Sequence, residues 1–527
     1  MAESQGSLWT PKHNPWAVAL TVTLATFMEV LDTSIANVSL PHIASNLSAS
    51  TDESTWVLTS YLVSNAIILP MSAWLQRIMG RKRFYMTCVA LFTCSSFLCG
   101  LAPSLGMLVL FRIMQGVGGG GLQPSEQAIL ADTFAPEKRG QAFSIYGMAV
   151  VVAPALGPTL GGWITDNFSW RWIFYINVPI GIISLLLTSR MVEDPPYLKK
   201  IREQGRPKID YMGLSLIVIA VGCLQIVLDK GQESDWFHST WITTLLIVSV
   251  YALFAWVVWE WFHPEPIVDV RLFKNRNFAT AMFFTFCLGT VLFGTTVVIP
   301  QFLQLLMGYP ATKSGEAMAG GGLVMFLMMP IAGQLVSRID PRAMMMIGFG
   351  ATAAALYFMV RHISLQMDFA TAAMLRTYQA IGLPFIFLPS NTLAYVGIPR
   401  EKGNQIASMN SFIRNIGGSL GIAVITSSLT RQVAKHQSYM VAHATPGSPA
   451  FDQLANGMTQ RMANQGIGLP EQHAYSRISG LIAGQATTLA YIDVVSVLAL
   501  VVVCMIPLVL IMKRPKTGLG SRAAAAH

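Results

Sequence analysis

The sequence predicts an all-α polytopic membrane protein of fourteen spans: two related six-helix halves, in parallel orientation, with two extra spans between them. Three observations predict it. Of 527 residues, 53% are apolar and only 12% charged, where a soluble chain carries about 25% charged residues. Apolar stretches of about 20 residues, enough to cross a roughly 30 Å hydrocarbon core, recur fourteen times. Finally, Arg112-x-x-Gln115 returns 264 residues later as Arg376-x-x-Gln379, and the turn from Pro136 to Gly140 returns at about the same offset from Pro399 to Gly403.

The spans fall near 17–40, 56–78, 84–101, 106–131, 141–165, 172–190, 211–228, 240–261, 278–305, 315–336, 343–360, 369–396, 404–430 and 488–512. Residues 1–190 form the first half. A charged linker at 191–210, the inserted spans at 211–261 and a second linker at 262–277 lead to the second half, 278–512. An outside loop covers about 431–487, and 513–527 form a tail. With both termini inside, the cytoplasmic segments hold 24 Lys and Arg and the outside segments 8, while Arg112, Arg376 and Arg414 lie within spans. Positive charge stays cytoplasmic, so the net charge of +9 is a topology signal and calls for no nucleic acid. The six cysteines lie within or at the ends of spans without metal-ligand spacing, and no metal site is expected.

The first span carries Glu29 and Asp32, three residues apart and so on one helix face. Asp32 is roughly 23 Å in from the cytoplasmic end, and Arg112 enters roughly 12 Å from the other side. Both fall at similar depth, which permits a direct or water-bridged pair. A charge at mid-membrane costs about 2.5 to 3.5 kcal/mol on insertion scales, which marks these groups as functional candidates beside the plainer reading of a structural ion pair. Asn37 follows on the same span and is a candidate to line the cavity.

The loop from Arg77 to Arg83 is a positive-inside connection or a latch between helix pairs. In the fourth span, glycines from Gly116 to Gly121 allow close approach of a neighbouring helix or of a substrate. Glu126 stands 14 residues beyond Arg112, about the same face, and reads either as lining the same cavity or as a cytoplasmic cap. The fifth span has Pro154, Gly157, Pro158, Gly161 and Gly162. Prolines four apart with glycines between them bend a helix and flatten its face, which suits a hinge or seal.

In the second half, Arg414 is expected in a cavity with Gln115, and Arg376 as a structural echo of Arg112. Asp493 is a further candidate acid. Methionines such as Met325, Met328 and Met329 pack the core or offer flexible walls to apolar substrates.

Arg112-x-x-Gln115-Gly116 and Ala153-Pro154-x-x-Gly157-Pro158-x-x-Gly161-Gly162 resemble two signature motifs of the major facilitator superfamily, the second characteristic of its antiporters. Leu31 to Pro41 resembles the first-span motif of the fourteen-span drug/proton antiporter branch. Trp170 to Gly181, Leu228 to Gly231 with Asp235 to Phe237, and Pro266 to Asp269 resemble EmrB-type multidrug efflux pumps. The loop before Gly80 departs from the superfamily pattern, with Ala73 and Arg77 where glycine and aspartate are usual, so its charge latch does not transfer unaltered.

The resemblance implies a major facilitator fold and proton-coupled export of amphiphilic or hydrophobic drugs across a bacterial inner membrane by alternating access. Both termini would be cytoplasmic, and the proton would be the coupling ion without a cofactor. It also implies an EmrA-like periplasmic adaptor and a TolC-like outer-membrane channel. Asp32, Glu29, Arg112 and Glu126 are then the proton-coupling candidates. A metabolite symporter of the same fold is the alternative, against which the Gly157-Pro158 and Gly161-Gly162 pattern argues. An intramembrane enzyme would need a nucleophile, base or metal set at membrane depth, which the nine histidines do not form, and a Gly-x-x-x-x-Gly-Lys-Ser/Thr nucleotide loop is absent. A membrane scaffold would not need the buried charges.

Overall fold

Apolar helices that pack on one another and on lipid make up the computed structural model, which describes residues 12–196, 198, 209–445, 447–466 and 468–512. The first half contains α1 (Pro15–Asn46), α2 (Trp56–Met79), α3 (Arg81–Leu101), α4 (Leu105–Thr133), α5 (Arg139–Asn167) and α6 (Trp172–Met191). The inserted pair is α7 (Tyr211–Lys230) and α8 (Thr240–Phe262). The second half contains α9 (Arg276–Leu305), α10 (Ala311–Leu335), α11 (Pro341–His362), α12 (Phe369–Gly382), α13 (Pro384–Ala394), α14 (Gly403–His443), α15 (Pro449–Asn464) and α16 (Pro470–Leu508).

Among the described residues, twelve helices are long and apolar enough to cross a membrane, or thirteen when α5 is counted across its bend. The remaining expected stretch, the twelfth, at 369–396, is broken between α12 and α13, 14 and 11 residues long. Pro384 opens the second piece, and a proline has no N–H to continue the helical ladder. The expected loop at 431–487 is largely helical. The last turns of α14, all of α15 and the start of α16 fill it, and His436 of α14 meets Asp493 of α16 at 2.8 Å. Most of the linker 191–210 and the tail 513–527 lie outside the described residues.

Gly80 joins α2 to α3 at a φ of 88°, a conformation that costs a residue with a Cβ. α5 packs between α1 of its own half and α10 of the other, and α9 packs along α14. Of the inserted pair, α7 lies against α2 and α14, so it covers one seam between the halves, and α8 packs on α7. Gln225 of α7 donates to Ser419 of α14 at 3.0 Å, while Thr59 of α2 hydrogen-bonds Asp229 of α7.

The glycines of α4 serve helix packing. A Cβ on Gly116 would stand 2.1 Å from Ser64 Oγ of α2, and one on Gly118 2.6 Å from the Phe92 nitrogen of α3. In α5 the two parts Arg139–Pro154 and Leu156–Asn167 meet at 43°. The bend seats α5 on α1: Ser34 donates to the Pro154 carbonyl at 3.2 Å, and a Cβ on Gly157 would lie 2.1 Å from Ser34 Oγ. Gly161 faces Ile35, and Gly162 faces Thr312 of α10. Pro158 lies inside the same helix.

Candidate functional site: buried charges within and between the halves

Two clusters of buried polar groups occupy the first half, and one of them reaches the second. In the first cluster, Arg112 Nη1 of α4 donates to Asp32 Oδ2 of α1 at 2.6 Å and to Gln115 Oε1 at 2.8 Å. Asp32 Oδ1 accepts from Gln115 at 3.1 Å and from Asn177 of α6 at 2.7 Å. Arg112 Nε donates to the Val57 carbonyl at 3.0 Å, and the guanidinium lies 4.3 Å from the centre of the Tyr61 ring. The pairing that the two depths allow is thus made directly, with Arg112 and Gln115 fully buried. All the contributing helices belong to one half.

The second cluster begins one helical turn along α1. Glu29 accepts from Asn65 at 3.1 Å, from Tyr61 at 3.3 Å and from Gln123 of α4 at 2.9 Å. Tyr61 therefore touches both clusters, its ring on Arg112 and its hydroxyl on Glu29. The carbonyl oxygen of Gln123 in turn accepts from Arg414 Nη2 of α14 at 2.7 Å and from Tyr146 at 3.1 Å. Arg414 also hydrogen-bonds the Tyr146 hydroxyl. A single neutral amide thus joins a carboxylate of the first half to a guanidinium of the second.

Glu126 is fully buried rather than capping a helix end. Its Oε1 accepts from Thr23 at 2.5 Å, while Oε2 has no hydrogen bond among the described residues. Neither Glu29 nor Glu126 has a Lys, Arg or His at ion-pair distance among the described residues. A buried carboxylate without a cation either carries uncompensated charge, at a cost of several kcal/mol, or takes up a proton.

Further contacts between the halves also start from the first turns of α14. Asn404 accepts from Arg81 at 2.5 Å, and Ser408 meets Ser72 at 3.2 Å and donates to the Leu69 carbonyl at 2.6 Å. Gln127 of α4 donates to Ser411 at 2.6 Å and accepts from Asn410 at 2.8 Å. Arg81, in the turn where the superfamily pattern places an aspartate at Arg77, pairs with Asp132 at 2.6 Å.

Arg376 echoes Arg112, donating to Gln379 at 2.7 Å as Arg112 does to Gln115 at 2.8 Å. Arg414 sits in the boundary network, whereas Arg376 lines a small cavity with room for about one water. Val151, Pro154, Thr296, Met318 and Met325 are among its walls. Asn37 is exposed and joins neither cluster. Gln123 and Tyr61 were not among the residues singled out in the sequence. A polar residue one turn before Glu126 on α4 is the only signal that marked Gln123. Among the described residues no group of acidic, histidine and cysteine side chains could hold a metal ion.

Two helical halves that meet on buried ionisable groups, with a bent helix at their seam, are the architecture of a secondary transporter. The family model described as Major Facilitator Superfamily matches residues 22–422, and the chain belongs to that superfamily. It is 35% identical over 510 residues to the multidrug export protein EmrB of Escherichia coli strain K12, covering 97% of each chain. It is 36% identical to the fatty acid resistance protein FarB of Neisseria gonorrhoeae, over 94% of this chain and 96% of the other. Among solved structures, a bacterial homologue of the human lysosomal transporter Spinster, inward-facing and occupied, shares the fold with a TM-score of 0.51 at 16% identity, covering 94% and 97% of the two chains.

Proposed function

We propose that this multi-pass membrane transporter is a proton-coupled antiporter that exports amphiphilic or hydrophobic small molecules across a bacterial inner membrane. The observation that carries the reading is the Glu29–Gln123–Arg414 connection, because it ties the charge state of one half to its contact with the other. While Glu29 is ionised, its carboxylate orients the Gln123 amide, whose carbonyl then faces Arg414. A proton on Glu29 weakens that hydrogen bond and frees the amide to turn, so the boundary opens with proton uptake. Glu126 lies nearby as a second proton acceptor. The Asp32–Arg112 ion pair, its charges compensating each other within one half, touches the same network through Tyr61.

Names of the relatives, which describe multidrug export and fatty acid resistance, support the substrate range. By the same kinship, the chain is the inner-membrane part of a tripartite system with an EmrA-like adaptor and a TolC-like channel, and both of its termini are cytoplasmic. A membrane potential contributes about 2.3 kcal/mol per charge per 100 mV, so one net charge per cycle sustains nearly two decades of concentration ratio.

Reconstitution tests the reading. The amphiphilic anionic dye 8-anilinonaphthalene-1-sulfonate should accumulate in proteoliposomes, against its own gradient, only when protons flow the opposite way through the protein, and Glu29→Gln should abolish the accumulation. Movement of dye and proton in the same direction would establish a symporter instead.

A further inference from the structure

The 264-residue repeat places Arg376 where Arg112 stands, Gln379 where Gln115 stands and Thr296 where Asp32 stands. The geometry repeats with the sequence. Arg376 Nη1 donates to Gln379 Oε1 at 2.7 Å and to Thr295 at 3.0 Å, and Nη2 donates to Thr296 at 3.1 Å. The counter-ion does not repeat. Among the described residues no carboxylate pairs with Arg376, and no acidic side chain lines the cavity beside it. The arginine is only 6% exposed.

A guanidinium held at membrane depth by neutral oxygens remains a buried, uncompensated charge, because hydroxyl and amide acceptors do not neutralise it. Its setting is also shaped. Gly321 lies so close that a Cβ there would stand 2.5 Å from Arg376 Cγ, and Met318 and Met325 provide flexible apolar walls. Val151 and Pro154, at the bend of α5, contribute a wall from the other half, so the cavity lies between the two moving bodies. In this conformation it is closed to about the volume of one water; separating α5 from α10 widens it.

We propose that Arg376 is the anion subsite for substrate: it binds the carboxylate of an amphiphilic monoanion, whose apolar body lies against the methionine wall. The substrate supplies the charge that Asp32 supplies in the other half. This assignment names a substrate class for the exporter and in that respect rests on the function proposed above.

The test is equilibrium binding of tritiated decanoate to the purified full-length protein in phosphatidylcholine nanodiscs, with no proton gradient. Unlabelled decanoate should displace the label at least about tenfold more effectively than decanol or decyltrimethylammonium, the margin expected of a charge-assisted hydrogen-bonded pair. Arg376→Gln should erase that preference. Thr296→Asp restores an internal counter-ion at the repeat-related position, and should weaken decanoate binding about tenfold or more while the protein stays folded. If Arg376→Gln does not fold, Thr296→Asp decides alone. Equal displacement by decanol, or undiminished decanoate binding by Thr296→Asp, would overturn the assignment. Since binding is read without a gradient, decanoate recognition that survives in a protein unable to accumulate the anionic dye 8-anilinonaphthalene-1-sulfonate would defeat the antiporter reading and leave the subsite standing.

Discussion

Asp32 and Arg112 meet at 2.6 Å with side chains 1% and 0% exposed, and both belong to the same half of the molecule. Movement of one half against the other therefore does not require this pair to break. Removing one partner leaves the other buried without compensation, at a cost of about 3 to 5 kcal/mol. Asp32→Asn is expected to lower the thermal midpoint of the detergent-purified protein sharply. The double variant Asp32→Asn/Arg112→Gln should recover part of the loss. Additive losses in a double-mutant cycle on the melting curves would show that the two groups do not stabilise each other.

Gln123 is expected to matter through the two charges it bridges. Gln123→Leu keeps the approximate volume but leaves Glu29 and Arg414 each short of a hydrogen-bond partner, a penalty of about 1 to 3 kcal/mol. Gradient-driven dye accumulation should fall about tenfold or more. Gln123→Glu removes the donor that faces Glu29 and sets a second carboxylate against it, so the two must share a proton; with that proton bound, the carboxylate at Arg414 forms an ion pair between the halves and transport should stop. A Gln123→Glu protein that transports normally would show that Arg414 does not have to leave this position during the cycle.

Protonation of the central acids has a measurable sign. If substrate and proton alternate, adding 8-anilinonaphthalene-1-sulfonate to the protonated protein in weakly buffered detergent solution should release protons. The release should be largest below the pH at which the coupling acid ionises, and vanish above it as the proton is already gone. Glu29→Gln or Glu126→Gln should abolish release when the substituted acid is the coupling group, and the unaffected variant identifies the bystander. Persistent release from the Glu29→Gln/Glu126→Gln double variant would move the coupling proton away from both.

Much of this arrangement was legible in the sequence because it is written in residue types that lipid penalises. Arg112, Asp32 and Glu126 stand out in apolar spans, and the proline-glycine pattern of α5 announces its bend. The 264-residue repeat also located Arg376. What the repeat did not announce was the consequence of Thr296 facing it, since a threonine in a span is unremarkable until the arginine beside it proves to lack an acid. Gln123 was hidden for a related reason: a neutral amide carries no large insertion penalty, and its importance depends on which helices it bridges. The broken 369–396 span was concealed by its apolar average, which does not register that Pro384 interrupts the backbone ladder. Arg414 was visible as a charge, but only tertiary packing assigns it to the boundary.

The first turns of α14 hold the halves together, and a covalent link there should arrest the cycle in this conformation. Ser72 Oγ and Ser408 Oγ lie 3.2 Å apart across the boundary, both buried. Side chains this near can bring two sulfurs within reach of a disulfide, whose Cβ atoms stand roughly 3.5 to 4.5 Å apart. Ser72→Cys/Ser408→Cys, made in a background with the six native cysteines replaced, should cross-link under mild oxidation. Cleavage at a protease site engineered in the loop between the halves would then leave the two fragments joined on a non-reducing gel. Oxidised protein should lose dye accumulation and regain it with reductant, while either single cysteine should be insensitive to both. Full transport by the quantitatively cross-linked protein would show that this contact persists through the cycle, and the opening between the halves would have to be sought at the other end of the helices.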